Sequence, residues 1–222
     1  MAKNIQGYFT GSGLSAVRGE KRLFSGLDFR LPPGAALVLS GPNGSGKSSL
    51  LRLMAGFGRP VAGHFAWDDV EVSRDAEAHR LRLHYIGHQD GLKPALTVTE
   101  TLRFWAALGG ENLADPATAL APLGMAHLAL TPCRFLSSGQ RRRLALSRLS
   151  VRRAPLWLLD EPAVGLDVTA LGALSALIRQ HRACGGSVVL STHQGITLDD
   201  ALTLSIADFP WRRSEEPVEL GW

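Results

Sequence analysis

The sequence has no long apolar run. Across its 222 residues, no uninterrupted hydrophobic stretch approaches the roughly 18 residues that a membrane-spanning helix needs. Residues 1–12 contain no continuous apolar core of the kind that a secretory signal peptide carries. We therefore expect a cytoplasmic chain whose work at a membrane, if any, depends on a partner that spans the bilayer.

Cysteine is also scarce, since Cys133 and Cys184 are the only two. They are far apart and match no metal-binding or redox spacing, and two separate thiols are typical of a reducing compartment. The seven histidines are scattered, so we predict no metal site built from protein ligands alone. Such a chain is not a disulfide scaffold or a zinc module.

Positive charge is modest and rests almost entirely on arginine. The formal net charge is +4, and lysine occurs only at positions 3, 21, 47 and 93. The arginines form no basic tail and no patch interleaved with aromatic residues, so we expect no nucleic-acid partner. Most of them are interpreted as solvated surface charge. Lys47 stands out because its compact ammonium group occurs in a chain whose basic residues are nearly all arginine.

One stretch carries a specific chemical pattern: Gly41-Pro42-Asn43-Gly44-Ser45-Gly46-Lys47-Ser48 matches G-x-x-x-x-G-K-[ST] at every fixed position. An apolar run typical of a buried strand precedes it, and a helical pattern follows. In that setting, glycine-rich backbone amides and a helix N-terminus form an anion site. Lys47 is expected to reach the β- and γ-phosphates and Ser48 to ligate Mg²⁺. The alternative is a glycine-rich turn without a ligand.

Apolar runs and helical patterns alternate along the rest of the chain, which predicts a parallel sheet covered on both faces. A helical insert is predicted at about residues 91–154, and a polar tail at 208–222. The predicted strands are 23–31, 35–39, 63–72, 83–89, 156–161 and 187–193, and the predicted helices are 49–55, 97–108, 141–152 and 171–182.

Reactive residues follow the predicted buried strands. Ligands of open α/β sheets bind beyond the carboxyl ends of the strands, and Gln89, Asp160, Glu161 and His193 all fall there. The Asp160 carboxylate is expected to bind Mg²⁺, and Glu161 to act as the base that orients the attacking water. Gln89 is expected to hold water and metal, and His193 to contact the γ-phosphate. Taken singly, the acids can cap a turn, Gln89 is weak evidence, and His193 can be a core or rim histidine.

A second anion site is predicted at Leu136-Ser137-Ser138-Gly139-Gln140, where a helical pattern begins. The Ser137 hydroxyl and the amides near Gly139 are suited to phosphate, although a simple helix N-cap explains the same residues. Two phosphate-binding loops in one chain suggest two copies that face each other head to tail.

Together these motifs resemble the ATP-binding subunits of ABC transporters over essentially the whole chain. The resemblance identifies 41–48 as Walker A, with Ser49 beside it, and Leu156–Glu161 as Walker B with its catalytic glutamate. It makes Gln89 the Q-loop glutamine, 136–140 the signature loop, 165–167 the D-loop and His193 the switch histidine. It implies a RecA-like P-loop NTPase fold of class α/β, with a mostly parallel sheet, an antiparallel β subdomain and a helical subdomain.

The resemblance also implies one domain over 1–222, with the ATP-binding core and antiparallel β subdomain at 1–90 and 155–222 and the helical signature subdomain at 91–154. ATP and Mg²⁺ are the implied cofactors, and Lys47, Gln89, Glu161 and His193 the catalytic residues. Two departures stand out. Ser138 replaces the commonest glycine, and Arg18 occupies the place of the aromatic residue that contacts adenine. A guanidinium plane can stack on a base, so we expect Arg18 to do so.

A narrower resemblance is to the ATPases of cytochrome c maturation systems. It rests on Arg18-Gly19-Glu20, Leu23–Leu27, Tyr85–Gln89, Ala154–Pro162 and Thr192–Gln194. The resemblance implies an ATPase peripheral to the cytoplasmic face of a bacterial inner membrane. Its implied partners are a second copy of itself and an integral membrane permease that handles heme. The sequence shows no heme ligand set.

Two other functions remain open at this stage. A soluble ABC-type ATPase acting on DNA, ribosomes or iron–sulfur assembly usually carries long coiled coils or extra domains, and the sequence has neither. A nucleotide sensor without catalysis would not need Lys47, Asp160, Glu161 and His193 together.

Overall fold

A computed structural model of the chain describes residues 7–192, 196, 198 and 200–211. Within that range the protein has two sheets and six α-helices joined by short 3-10 turns. The strands are β1 (Phe9–Arg18), β2 (Lys21–Leu31), β3 (Ala36–Ser40), β4 (Ala62–Trp67), β5 (Val70–Glu71), β6 (Leu83–Ile86), β7 (Leu156–Asp160), β8 (Ser187–Ser191) and β9 (Leu202–Ser205). The helices are α1 (Lys47–Met54), α2 (Ala76–Leu81), α3 (Val98–Leu108), α4 (Pro116–Leu120), α5 (Ser138–Ser147) and α6 (Val168–Ala183).

The central sheet has five parallel strands in the order β6-β7-β8-β3-β9. Alternate side chains of β7 enter two separate cores, Leu158 on one face and Trp157 and Leu159 on the other. Because both faces are covered, the central strands read as continuous apolar runs rather than as alternating patterns. The predicted α/β class with a mostly parallel sheet is confirmed.

The second sheet is antiparallel, in the order β2-β1-β4-β5, and packs over α1. Phe9 of β1 contacts the rings of Phe29, Phe65 and Trp67 at centroid distances of 5.0–5.9 Å. Such aromatic packing adds to the area buried between the sheet and α1. The antiparallel subdomain that the resemblance implied is therefore present.

The single strand predicted over 63–72 is wrong. Asp68 and Asp69 both adopt positive φ, 45° and 68°, and turn the chain back on itself between β4 and β5. Two consecutive left-handed residues form the tight hairpin turn that fits the twist of the flanking strands. An alternating pattern continues through such a turn, so it did not reveal the break.

Several predicted strand ends also differ. β6 ends at Ile86, β7 at Asp160 and β8 at Ser191, which is three, one and two residues before the predicted ends at 89, 161 and 193. The backbone pairing of β6 with β7 runs only from Leu83 to Ile86, so nothing extends the ladder further. β9 was not predicted from the sequence, although it pairs with β3 along its whole length. Of the predicted tail, 212–222 lies outside the described residues.

Helices α3, α4 and α5 fall within the range 91–154 that the sequence assigned to a helical insert. A capping box at Thr97 and Glu100 starts α3, which buries Val98, Leu102 and Trp105 and leaves Leu108 66% exposed. α5 begins three residues earlier than predicted because Ser137 caps it, and it ends at Ser147 in a 3-10 turn. The division into an ATP-binding core and a helical subdomain stays a prediction. No helix in the described ranges combines the length and the apolar character needed to cross a bilayer.

Three histidines have surroundings that disfavour the charged ring: His79 and His84 are buried, and His181 is partly buried. Burial lowers the pKa of His84 to about 3 and that of His181 to about 4, and it also lowers the pKa of His79. His181 stacks on Trp157 at 3.9 Å between ring centroids. His79 Nδ1 accepts the Trp67 indole N–H at 3.0 Å, so protonation there would displace that donor. These rings tie stability to pH.

We predict that the free energy of unfolding falls as the pH drops below about 6.5, the pKa of a histidine in the unfolded chain. The folded pKa values are lower, so the unfolded chain binds more protons in that window. For His84 or His181, the loss between pH 7.5 and pH 5 should be about 2 kcal/mol each. Urea melts at the two pH values measure it.

His181→Gln tests this prediction, and His64→Gln is its matched control because His64 is exposed. His181→Gln should reduce the difference between the two pH values, whereas His64→Gln should leave it close to that of the wild type. An identical pH dependence in both variants would contradict a neutral His181.

Candidate functional site

The loop between β3 and α1 has the shape that its glycines allow. Gly41, Gly44 and Gly46 adopt positive φ angles of 137°, 76° and 115°, where residues with a Cβ are strained. A Cβ on Gly46 would also come within 3.3 Å of Leu23 and Phe24. The loop therefore curls around the N-terminus of α1, where backbone amides and the helix dipole favour an anion.

Lys47 is the first residue of α1 and is 7% exposed. Its ammonium group donates to the Gly41 and Pro42 carbonyls at 2.7 and 3.1 Å. The cation is therefore held within the loop itself. The other predicted binding residues, Pro42, Asn43 and Ser45, lie in the same loop, with Ser49 in the first turn of the helix.

Asp160 ends β7 and is 3% exposed. Its Oδ1 accepts the Ser191 hydroxyl at 2.7 Å and the Ser48 hydroxyl at 3.0 Å. A buried carboxylate needs such donors because removing its charge from water is otherwise costly. The structure thus brings two of the three predicted metal ligands, Ser48 and Asp160, into direct contact at the phosphate loop. Hydroxyl and carboxylate oxygens are the hard donors that Mg²⁺ takes, so these residues fit that ion.

Glu161 follows directly and has a left-handed backbone, with φ of 49°. For a residue other than glycine this conformation costs about 1–2 kcal/mol. Its N–H donates to the Ser191 carbonyl and hydroxyl, both at 3.1 Å, and its carbonyl accepts from Arg142 at 2.8 Å. Strain of this kind persists where surrounding bonds fix it, and it concentrates at functional sites.

Arg142 of α5 contacts both the end of β7 and the loop that follows β6. One guanidinium nitrogen donates to the carbonyls of Asp160 and Glu161, and the other donates to the Gly87 carbonyl and the Asp90 carboxylate. The loop after β6 is therefore fixed to the end of β7. Gln89 lies in that loop and is exposed, so the structure does not bring its side chain against Asp160.

The turn at Ser137–Gln140 has a complete capping box. The Ser137 hydroxyl accepts the Gln140 N–H at 3.2 Å, and the Gln140 amide oxygen accepts the Ser137 N–H at 2.8 Å. A Cβ on Gly139 would lie 3.0 Å from the Gly165 carbonyl, so a larger residue would press against the loop after β7. The prediction that these residues start a helix is correct, and their role toward phosphate stays a prediction.

Arg18 ends β1 and is exposed, opposite Lys21 in the β1–β2 register. The Lys21 ammonium donates to the Gly44 carbonyl at 2.9 Å. Because opposite residues of an antiparallel pair point to the same face, Arg18 lies on the side of the hairpin that meets the phosphate loop. His193 lies outside the described residues.

Three residues of this region were not predicted from the sequence. Ser191 is the last residue of a buried strand, two positions before a predicted site residue, and that position was the available signal. Arg142 is the middle member of Arg141-Arg142-Arg143, and nothing in the run distinguishes it. Lys21 was signalled only by the rarity of lysine.

Comparison with known proteins agrees with this architecture. A family model described as ABC transporter matches residues 24–164. The chain is 52% identical over 201 residues to the cytochrome c biogenesis ATP-binding export protein CcmA of Rhodospirillum rubrum, covering 90% of this chain and 86% of that protein. It is 42% identical over 191 residues to the CcmA protein of Nitrosomonas europaea, covering 85% and 90%.

Solved structures show the same fold. A putative ABC transporter ATP-binding protein from Pyrococcus furiosus superposes with a TM-score of 0.79 at 20% identity, covering 91% of this chain and 98% of that one. A bacterial Atm1-family ABC exporter with ATP bound gives 0.75 at 21% identity, covering 85% and 35%. The chain is an ATP-binding ABC ATPase and belongs to the ABC transporter family, in the group of the CcmA proteins.

Proposed function

We propose that this ATPase drives a membrane complex for cytochrome c maturation and serves the handling of heme at the cytoplasmic face of the inner membrane. The relatives are named as export proteins of cytochrome c biogenesis, and we extend that role to this chain. The observation that carries the catalytic part is the buried Asp160, bonded to Ser48 of the phosphate loop and followed by Glu161.

The residues divide the work of ATP hydrolysis. Lys47 and the amides of the phosphate loop bind the β- and γ-phosphates, and Glu161 orients a water and takes its proton. His193 stabilises the charge on the γ-phosphate as it leaves. Ser48 and Asp160 would hold Mg²⁺, which supplies positive charge to the phosphate oxygens.

A second copy of the chain completes each site. Ser137, Gly139 and Gln140 surround the N-terminus of the ten-residue helix α5. This N-terminus offers amides and a positive dipole end, as the phosphate loop does. We infer that each signature turn binds the γ-phosphate held by the phosphate loop of the other copy, and that Arg18 stacks on the adenine.

The membrane permease docks in a groove of about 350 Å³ between β6 and α3. Trp105, Tyr85 and Leu108 supply apolar surface, and Phe57, 62% exposed, stacks edge-on against Tyr85. The groove also contains arginines, and the Arg148 guanidinium lies 5.6 Å from the Trp105 ring centroid. We infer that a short cytoplasmic helix of the permease, apolar on one face and carrying an acidic residue, fits this chemistry.

We predict that Glu161→Gln lowers kcat at least about 100-fold, because general-base catalysis contributes about that much. ATP binding should persist because the phosphate loop is untouched. Steady-state phosphate release and nucleotide binding measure the two effects. Glu111→Gln, an exposed control, should keep the wild-type rate, and full hydrolysis by Glu161→Gln would refute the assigned base.

Lys47→Ala should weaken ATP binding by about 10- to 100-fold, since it removes a charge-assisted hydrogen bond to phosphate. Titration with a fluorescent ATP analogue measures the dissociation constant. Lys93→Ala removes an exposed lysine away from the loop and should leave the affinity as it is. Equal affinities for the two variants would contradict the phosphate-loop assignment.

Leu108→Glu should reduce recovery of the chain with membranes that contain the maturation permease, because it places a charge in the apolar part of the groove. Val70→Glu changes another exposed apolar residue, on β5 in the other sheet, and is the matched control. Sedimentation with co-expressed membrane subunits provides the measurement. If the wild-type chain stays in the supernatant although the membrane subunits are co-expressed, the alternative function of a soluble ABC ATPase is favoured instead.

A further inference from the structure

Arg142 is an unusual arginine because its guanidinium is enclosed, with only 6% of the side chain exposed. It lies in the second turn of α5, behind the signature turn. Its Nη2 donates to the carbonyls of Asp160 and Glu161 at 2.9 and 2.8 Å, and its Nη1 donates to the Gly87 carbonyl and Asp90 Oδ1 at 2.9 and 3.1 Å. We call this set of four hydrogen bonds the Arg142 bridge.

Only one partner in the Arg142 bridge carries a charge. Asp90 is 25% exposed, and the other three acceptors are backbone carbonyls. A buried cation with so little countercharge is retained only if its donors are well placed on acceptors. The planar guanidinium reaches two acceptor pairs at fixed angles, which a lysine ammonium on a flexible chain does not reproduce. The position therefore requires arginine, not merely a positive charge.

The bridge acts on the backbone of Glu161. That residue has positive φ, and Ser191 holds its N–H while Arg142 holds its carbonyl. Both peptide groups that flank its Cα are thus fixed from outside the turn. Since φ and ψ set the direction in which a side chain leaves the backbone, the direction of the Glu161 carboxylate depends on Arg142.

The other half of the bridge fixes the loop that contains Gln89. Gly87 and Asp90 lie on either side of that exposed residue, and the loop follows β6, which lines the groove assigned above to the permease. A displacement of this loop would pull on the same guanidinium that holds Glu161. One side chain thus connects the partner side of the molecule to the end of β7.

We propose that Arg142 is a positioning residue for ATP hydrolysis, which orients Glu161 and makes that orientation depend on the loop at 87–90. This inference rests on the proposed function, because the role of Glu161 is itself proposed there. Arg142 contacts neither phosphate nor water in this scheme and acts only through Glu161.

The test is Arg142→Lys in the complex with its membrane subunits, with Arg143→Lys as the same change one residue along α5. A misplacement of about 1 Å can cost about 100-fold in rate, so we expect kcat to fall by about 10- to 100-fold. The dissociation constant for ATP should stay within about threefold, since the phosphate loop is not involved. Arg143→Lys should keep the wild-type kcat.

A double variant separates positioning from a general structural role. In a Glu161→Gln background, Arg142→Lys should lower the residual rate little further, because residues that act as one unit have non-additive effects. A second loss as large as the first would overturn the proposal, as would an unchanged kcat in Arg142→Lys alone. If Glu161→Gln itself hydrolyses ATP at the wild-type rate, the proposed role of Glu161 fails instead, and the two failures are distinct.

Asp90→Asn keeps the inference testable if Arg142→Lys does not fold. It removes the single charged partner and leaves the three carbonyl bonds in place. We expect a several-fold fall in kcat with unchanged ATP affinity, and no further fall when Glu161→Gln is also present. An unchanged kcat in Asp90→Asn would overturn the link between the loop and Glu161.

Discussion

The arrangement of the site depends on two hydroxyl groups that donate hydrogen bonds to the same carboxylate oxygen of Asp160. Ser191 comes from the neighbouring strand β8 and Ser48 from helix α1, so three separate segments meet at a buried carboxylate. The parallel register places Asp160 opposite Ser191. Because side chains alternate between the faces of a sheet, a slip of one residue would turn Asp160 away from the phosphate loop. The site is thus a consequence of strand register as much as of residue type.

The sequence predicts those parts of the site that show a recognisable residue pattern within one segment. The phosphate loop has a fixed spacing, and Asp160 ends an apolar run that two covered faces make continuous. Register carries no local signal. Ser191 became part of the site only because β7 and β8 pair with their carboxyl ends level, and Gln89 proved to be three residues beyond its strand because the pairing of β6 stops at Ile86.

Local conformation sets a second limit on prediction. The reversal at Asp68 and Asp69 needs two left-handed residues, which aspartate tolerates but does not demand. An alternating pattern therefore read as one strand. α5 shows the opposite case, since the prediction assigned Ser137 to a helix start but counted the helix only from the arginine run. The capping box adds a full turn before that run.

Most arginines were interpreted as solvated surface charge, and three of them instead donate to backbone carbonyls of other segments. Arg152 donates to the Leu81 and Leu83 carbonyls at the start of β6, and Arg182 donates to the Gly34 carbonyl before β3 while it pairs with Asp200. Arg142 does the same at the end of β7. Each joins backbone at the end of a central strand to a segment outside the sheet.

This shared geometry offers a physical reason for the composition. A strand end leaves carbonyls without ladder partners, and buried carbonyls need donors. A guanidinium supplies five donors in a rigid plane and can reach two segments at once, whereas an ammonium supplies a compact charge. Lys47 places a compact charge at the phosphate loop, and Lys21 lies beside it. The chain has arginine where separate segments must be held together around the sheet.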